Sequence, residues 1–237
     1  MCGRFAASAS TEEIVETFAV ELVADEPSPT FNAAPTDPVP AVLERVDKES
    51  GRAVRKLVTP RWGLVPSWSK SPSGAARLIN ARAETVASKP AFARAFAARR
   101  CLIPADGYYE WQTLASPGRK AVKQPWFVRA ASGDMMAMAG LYEFLKDPTV
   151  AGPDAWLTTC TVITTEATDA LGHIHDRMPM VVRPEDWAAW LDPHATDPQH
   201  ALALLHVTEG AEIDTFPVSM RVNTVGNDGP DLVLPLP

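Results

Sequence analysis

Apolar positions along this chain recur at two spacings, and the spacing sorts the sequence into elements. Ile14, Val15 and Phe18 follow Ser10-Thr11-Glu12-Glu13, a hydroxyl with a Glu three residues on. That pattern predicts a short amphipathic helix over 11–19, opened by a capping box. Pro27, Pro29, Pro35, Pro38 and Pro40 then remove backbone donors, leaving a loop that carries Phe31-Asn32-Ala33-Ala34-Pro35. Runs rich in β-branched and aromatic residues predict strands at 41–46, 56–64, 102–111, 126–130, 135–144 and 156–164. Helices are expected at 89–98, 166–171, 184–191 and 198–206, each with Pro, Thr or Asp near its start. The absence of a regular strand–helix alternation, a repeat or a glycine-rich phosphate loop argues against a doubly wound nucleotide-binding fold. The expected class is α+β, with curved, mainly antiparallel sheets forming a barrel-like core and helices at the periphery.

Composition narrows this. The chain has 237 residues, 46% hydrophobic and 22% charged, which fits one soluble domain spanning 1–237. No run approaches the roughly 18 to 20 apolar residues of a membrane helix, and Met1-Cys2-Gly3-Arg4-Phe5 lacks the apolar core of a signal peptide. The expectation is a cytoplasmic monomer, processed only by loss of Met1. Cys2, Cys101 and Cys160 are odd in number with no CxxC spacing, so each is read as a thiol, and neither a disulfide framework nor a structural zinc site is indicated. The net charge of −7 argues against a nucleic-acid partner until its distribution is considered. Residues 51–100 hold eleven Lys or Arg against the single acid Glu84, leaving 11 basic and 28 acidic residues elsewhere. That asymmetry fits either one basic face for a phosphate backbone or a solvated surface of scattered arginines.

Five places carry candidate chemistry or binding. Cys2 becomes the amino-terminal residue if Met1 is removed, joining an amine of reference pKa about 7.7 to 8.0 to a thiol near 8.5 on one residue. Such a 1,2-aminothiol can condense with an aldehyde to an imine and close a five-membered thiazolidine; the bland reading is an inert terminal cysteine. Asn80, Arg82 and Glu84 alternate and share one face if the segment is extended, where Asn can hold an amine or thiol and Arg can accept a phosphate. A cap or surface ion pair is the alternative. Glu110 stands within Tyr108-Tyr109-Glu110-Trp111: enclosed by rings it would be desolvated and titrate near neutrality, and on an exposed edge it would do neither. His173-Ile174-His175-Asp176-Arg177 gathers imidazole, carboxylate and guanidinium in a loop, with no further ligands at metal-like spacing, so proton transfer beside a phosphate-binding Arg is the better reading than zinc. Trp68 lies in the basic segment, where a ring among cations suits base stacking; Trp62 reads as core, and His194, His200 and His206 receive no role.

Taken in order, Met1-Cys2-Gly3-Arg4-Phe5, Asn32-Ala33-Ala34-Pro35, Trp62-Gly63-Leu64-Val65-Pro66, Ile79 to Glu84, Pro104 to Trp111 and His175-Asp176-Arg177-Met178-Pro179 resemble the SRAP family, the SOS-response-associated peptidases, abasic-site processing proteins of the YedK and HMCES type. Pro217-Val218-Ser219 and Val222-Asn223 also fit. The resemblance implies one curved α+β domain with a shallow groove for single-stranded DNA, no metal or organic cofactor, and location on the nucleoid when DNA is bound. It implies Cys2 as covalent nucleophile, Asn80 positioning its amine and thiol, Glu110 shuttling protons and His175 assisting. It also implies Arg4, Arg82 and Arg177 on phosphates, Trp68 stacking near the lesion and Thr164 as a backbone contact. Rival readings are a thiol peptidase using Cys2 and His175, an N-terminal-nucleophile amidohydrolase, and a plain single-strand binding module. Lyase activity is left open.

Overall fold

The computed structural model describes residues 3–114, 121–146, 152 and 155–237. Cys2 lies outside the described residues. Fourteen strands and six α-helices are found among them, joined by short 3-10 turns. In chain order these are β1 (Arg4–Ala7), α1 (Thr11–Phe18), β2 (Leu22–Val23), β3 (Thr30–Ala33), β4 (Ala41–Val46), β5 (Ala53–Val58) and β6 (Arg61–Trp62). There follow β7 (Asn80–Arg82), α2 (Ala83–Val86), α3 (Ala93–Ala98), β8 (Arg100–Ala105), β9 (Gly107–Leu114), β10 (Val122–Ala130), β11 (Met136–Lys146) and β12 (Trp156–Glu166). The chain closes with α4 (Asp169–Gly172), β13 (Arg177–Pro179), α5 (Trp187–Leu191), α6 (Pro198–Ala203) and β14 (Ile213–Pro217).

The strands form two sheets. The smaller runs β14-β10-β9-β1-β3, and the larger runs β13-β12-β11-β8-β4-β5-β2, with β6 and β7 added in parallel to β12. This corrects the expected barrel-like core. Closure would need a ladder between the end strands of a sheet, and none is found among the described residues, so both sheets are open and stacked.

Side-chain alternation explains the stacking. Along β8, Cys101, Ile103 and Ala105 enter the cluster between the two sheets, where Phe5, Trp62, Tyr108, Val128 and Val162 meet them. Leu102, from the opposite face, packs with Phe18, Phe92, Phe96 and Trp190 under the helices. β11 divides the same way, Met136, Met138 and Tyr142 to one side and Ala137, Ala139 and Leu141 to the other. A sheet covered on both faces needs apolar residues at both parities, which is why these strands read as nearly continuous apolar runs. Gly140 sits where a Cβ would lie 2.8 Å from the Cys101 Sγ, so close packing of β11 on β8 requires glycine there.

Several expected elements shift. α1 has the predicted capping box: Ser10 Oγ accepts from Glu13 N–H and Glu13 accepts from Ser10 N–H. The strand expected at 56–64 is interrupted before β6, at Thr59-Pro60, where proline has no donor for a ladder. The strand expected at 102–111 is two strands in different sheets, and Asp106 carries the chain from one to the other, its N–H donating to Ala6 O and its carboxylate accepting from Ser8 N–H. Gly107 is needed just after it, because a Cβ would fall 2.4 Å from Val128 O. β12 continues through Glu166, so the helix expected at 166–171 is the shorter α4. Only Ala93–Ala98 of 89–98 is helical, 184–191 begins as a 3-10 turn over Pro184–Asp186, and α6 ends at Ala203. Among the described residues no helix is long and apolar enough to cross a membrane.

Candidate functional site

The site lies where β9, β12, β7 and the turn after α4 meet. β9 carries Glu110 inward, 4% exposed, in a small chamber with Tyr108, Val128, Leu171, Ile174, His175 and Arg177. Burial pushes its carboxyl up from the ordinary range to about 7. The turn after α4, closed by His175 N–H to Leu171 O at 3.1 Å, brings the His175 Nδ1 to 4.0 Å from Glu110 Oε2. Partial burial holds His175 below its ordinary pKa; Lys123 acts the same way and Asp176, 2.8 Å from Nδ1, opposes it. A carboxylic acid moved up and an imidazole moved down are brought toward the same proton affinity, the condition for passing a proton either way near neutral pH.

The raised carboxyl has a measurable consequence. Folded Glu110 keeps a proton that the unfolded chain releases from about pH 4.5, so its contribution to stability falls as pH rises between about 4.5 and 7 and is lost above. Glu110→Gln removes the penalty. The variant should match wild type near pH 4 and exceed it at pH 8 by up to about 3 kcal/mol, from the ~1.4 kcal/mol per pK unit conversion. Urea unfolding of both proteins across this range checks it; a constant gap would mean Glu110 titrates normally.

Beside the chamber runs an open groove of about 570 Å³ lined by Arg77, Leu78, Asn80, Arg82, Thr85, Ser88, Lys89, Thr164 and Arg177. Its wall is built by parallel pairing of β7 on β12, with Val162 opposite Asn80 and Thr164 opposite Arg82. Asn80 and Arg82 therefore share a face as expected. Glu84 does not continue it, because the chain turns into α2 at Ala83. Instead Glu84 pairs with Arg177 in a fork, Nη1 to Oε1 at 2.7 Å and Nη2 to Oε2 at 3.0 Å, while Nη2 also donates to Thr164 O at 2.7 Å. Arg177 is 8% exposed and belongs to both the chamber and the groove, with its own N–H donating to His175 Nδ1 at 3.1 Å. Thr164, 1% exposed, is one of its anchors.

The expected site residues among those described thus fall into four places. Asn80, Arg82, Thr164 and Arg177 line the groove, and Glu110, His175 and Arg177 line the chamber. Trp68, 69% exposed on the turn closed by Ser69 N–H to Pro66 O, is among the lining residues of neither. Arg4 begins β1, where its Nη1 donates to Asn32 Oδ1 and Val222 O, and Asn32 Nδ2 donates in turn to Thr224 and Asn227 carbonyls. The motifs around residues 32 and 222 therefore meet as one knot under the start of β1. Trp111 Nε1 donates to Asn223 Oδ1 beside it.

The single basic face read from residues 51–100 is only partly built. Arg52 pairs with Glu21, Arg55 with Glu44, Arg99 with Glu143, and Arg100 is buried, so these four serve the body of the protein. The groove receives Arg77, Arg82 and Lys89, all exposed. Arg77 and Lys89 were not singled out from sequence; the only signal was membership of the basic segment, which does not separate a groove arginine from one bonded to carbonyls.

Residues 1–225 match the family model described as SOS response associated peptidase (SRAP), so the chain belongs to that family. It is 36% identical over 235 residues to the abasic site processing protein YoqW of Bacillus subtilis (strain 168), covering 98% of this chain and 99% of that protein. It is 30% identical over 233 residues to the abasic site processing protein HMCES of Gallus gallus, covering 88% of this chain and 66% of that one. A crystal structure of a protein from Bacteroides thetaiotaomicron superposes with a TM-score of 0.82 at 20% identity, covering 99% of this chain and all of the other, a likeness of fold.

Proposed function

We propose that this protein binds single-stranded DNA and captures the ring-opened aldehyde of an abasic site as a thiazolidine with Cys2, exposed as the amino-terminal residue by removal of Met1. The observation that carries the reading is the register of β1 on β9. Arg4 lies opposite Tyr109, and β1 runs antiparallel to β9, so the chain enters β1 at the end of the ladder where Glu110 follows Tyr109. Cys2 is two residues from Arg4, a span of at most about 7.6 Å between Cα atoms. The start of β1, a buried carboxyl titrating near pH 7 and a basic groove adjoin one another, in a family whose relatives are named for processing abasic sites.

The chemistry follows from these groups. Glu110 moves a proton from the C1′ hydroxyl to the ring oxygen of the abasic sugar, breaking the hemiacetal C–O bond and freeing the aldehyde. The Cys2 amine adds to the aldehyde carbon and water leaves, giving an imine. The thiolate then adds to that carbon, the nitrogen takes a proton, and the five-membered ring closes. His175 assists the proton transfers. Asn80 positions the amine and thiol, Arg82 meets a phosphate, Arg177, held by Glu84 and Thr164, adds its charge to the groove wall rather than the direct phosphate contact expected of it, and Trp68 stacks on a neighbouring base. Arg4, held by Asn32, sits at the entry of β1 for a further phosphate contact.

The test mixes the purified protein with a single-stranded oligonucleotide carrying one abasic site, without reductant, followed by denaturing electrophoresis and intact mass. A species at the mass of protein lacking Met1 plus DNA less one water is expected. No adduct, with Met1 removed and the thiol free, would reject capture and bring forward the peptidase and binding-module readings.

Two further outcomes belong here. Glu110→Gln should slow adduct formation on the order of 10²-fold and remove the inflection near pH 7 from its pH–rate profile; an unchanged profile would take Glu110 out of the proton path. Arg82→Ala should weaken binding of undamaged single strands and lower the slope of log affinity against log salt by about 0.7, the loss of one phosphate contact. Fluorescence anisotropy at several salt concentrations reads both, and an unaltered slope would place the phosphates elsewhere.

A further inference from the structure

β9 alternates its side chains, so Gln112 stands on the same face as Glu110, about 7 Å further along the strand. Its Nε2 donates to His173 O at 3.2 Å, and its Oε1 accepts from Trp126 Nε1 at 3.2 Å. Trp126 is the ladder partner of Glu110 on β10, and its ring stands edge-on to His173 with centroids 5.9 Å apart. An indole N–H can only donate and a backbone carbonyl can only accept, so the link between them needs a side chain offering an acceptor and a donor at once. Gln does this at the required length. Ionised Glu has no donor for the carbonyl, Met has no donor and only a weakly accepting sulfur, and Asn is one carbon shorter.

The tied carbonyl belongs to the turn that ends on His175, two residues on, whose imidazole lies 4.0 Å from Glu110 Oε2. We infer that Gln112 is a positioning residue: it pins the turn of residues 173–176 to β9 and so holds the His175 imidazole beside the Glu110 carboxyl. The catalytic consequence rests on the proposed capture reaction, and the placement of His175 does not. Among the described residues, Glu110 on β9, Lys123 on β10, and Asp176 and Arg177 within its own segment are the charged groups around His175.

The experiment compares wild type with Gln112→Met and Gln112→Glu in two readouts. In the first, adduct formation is followed against oligonucleotide concentration and pH. Both variants should lose plateau rate, on the order of tenfold for a misplacement of this size, with little change in the half-saturating concentration. In the second, the His175 ring resonances are titrated by NMR in the protein without DNA, where Gln112→Met should shift the midpoint while adding no charge. Wild-type plateau rates together with an unmoved His175 titration would overturn the inference. So would full activity in Gln112→Glu, since that side chain keeps the acceptor for Trp126 and lacks the donor for His173. If wild type itself forms no adduct, the capture reading fails and the titration alone decides: a shifted midpoint in Gln112→Met sustains the positioning role and an unmoved one overturns it.

Discussion

With Cys2 replaced by Ala, the protein is expected to form no reductant-free adduct with an abasic-site oligonucleotide and to retain most of its affinity for that strand. The two halves separate because different parts of the molecule supply them. In the proposed reading, binding draws on the groove cations Arg77, Arg82 and Lys89, whose charge the substitution leaves alone. Adduct stability needs the sulfur. An alanine amine still condenses with the aldehyde, but the imine stays open and hydrolysable, so a band appears only when borohydride reduces it. Electrophoresis with and without borohydride, alongside anisotropy, reads all three quantities. A reductant-free adduct in Cys2→Ala would assign the linkage to another nucleophile, and lost binding would mean that residue 2 helps build the groove.

Arg100→Ala is expected to be the most destabilising of these substitutions, on the order of 3–5 kcal/mol, because several buried carbonyls lose their donor at once. Arg100 is 4% exposed, and its guanidinium donates to Phe96 O and Ala97 O at the end of α3, to Trp190 O and Asp192 O at the end of α5, and to Ala195 O beyond, all between 2.7 and 3.1 Å. Helix ends leave carbonyls without intrahelical donors and carry partial negative charge, so one cation with five N–H groups satisfies both ends and their dipoles. Removing it strands five acceptors beneath the helices. Arg100→Lys should recover only part of the loss, because an ammonium offers three donors from one point. The urea midpoint measures it; a drop under about 1 kcal/mol would mean that water replaces the guanidinium, as at an ordinary surface position.

Reading these residues from sequence succeeds and fails for identifiable reasons. The capping box at Ser10 and Glu13 was legible because its partners are three residues apart. The burial of Glu110 was legible because it stands in a strand-like run of aromatic residues, and its neighbours Tyr108 and Tyr109 are buried with it. Glu84 was misplaced on the face of Asn80 and Arg82, since nothing local in Ala81 to Glu84 announces that the strand becomes a helix at Ala83. Arg100 was counted toward a basic face, and no spacing rule tells that three of its five partner carbonyls lie some ninety residues away.

What the sequence by itself determined about this protein is its inventory: helix and strand stretches, an α+β class, a family membership carried by six motifs in order, and the residue types able to do proton transfer and phosphate binding. These are encoded in hydrogen bonds and side-chain periods that span a few residues. Only the tertiary structure decided that the sheets are open and stacked, that Asp106 switches the chain between them, that Glu84 takes up Arg177, and that Gln112 ties the His175 turn to β9. Each of these depends on which distant segments pair and in what register. Register is chosen by burial summed over whole sheet faces, a quantity that no short window of the chain contains.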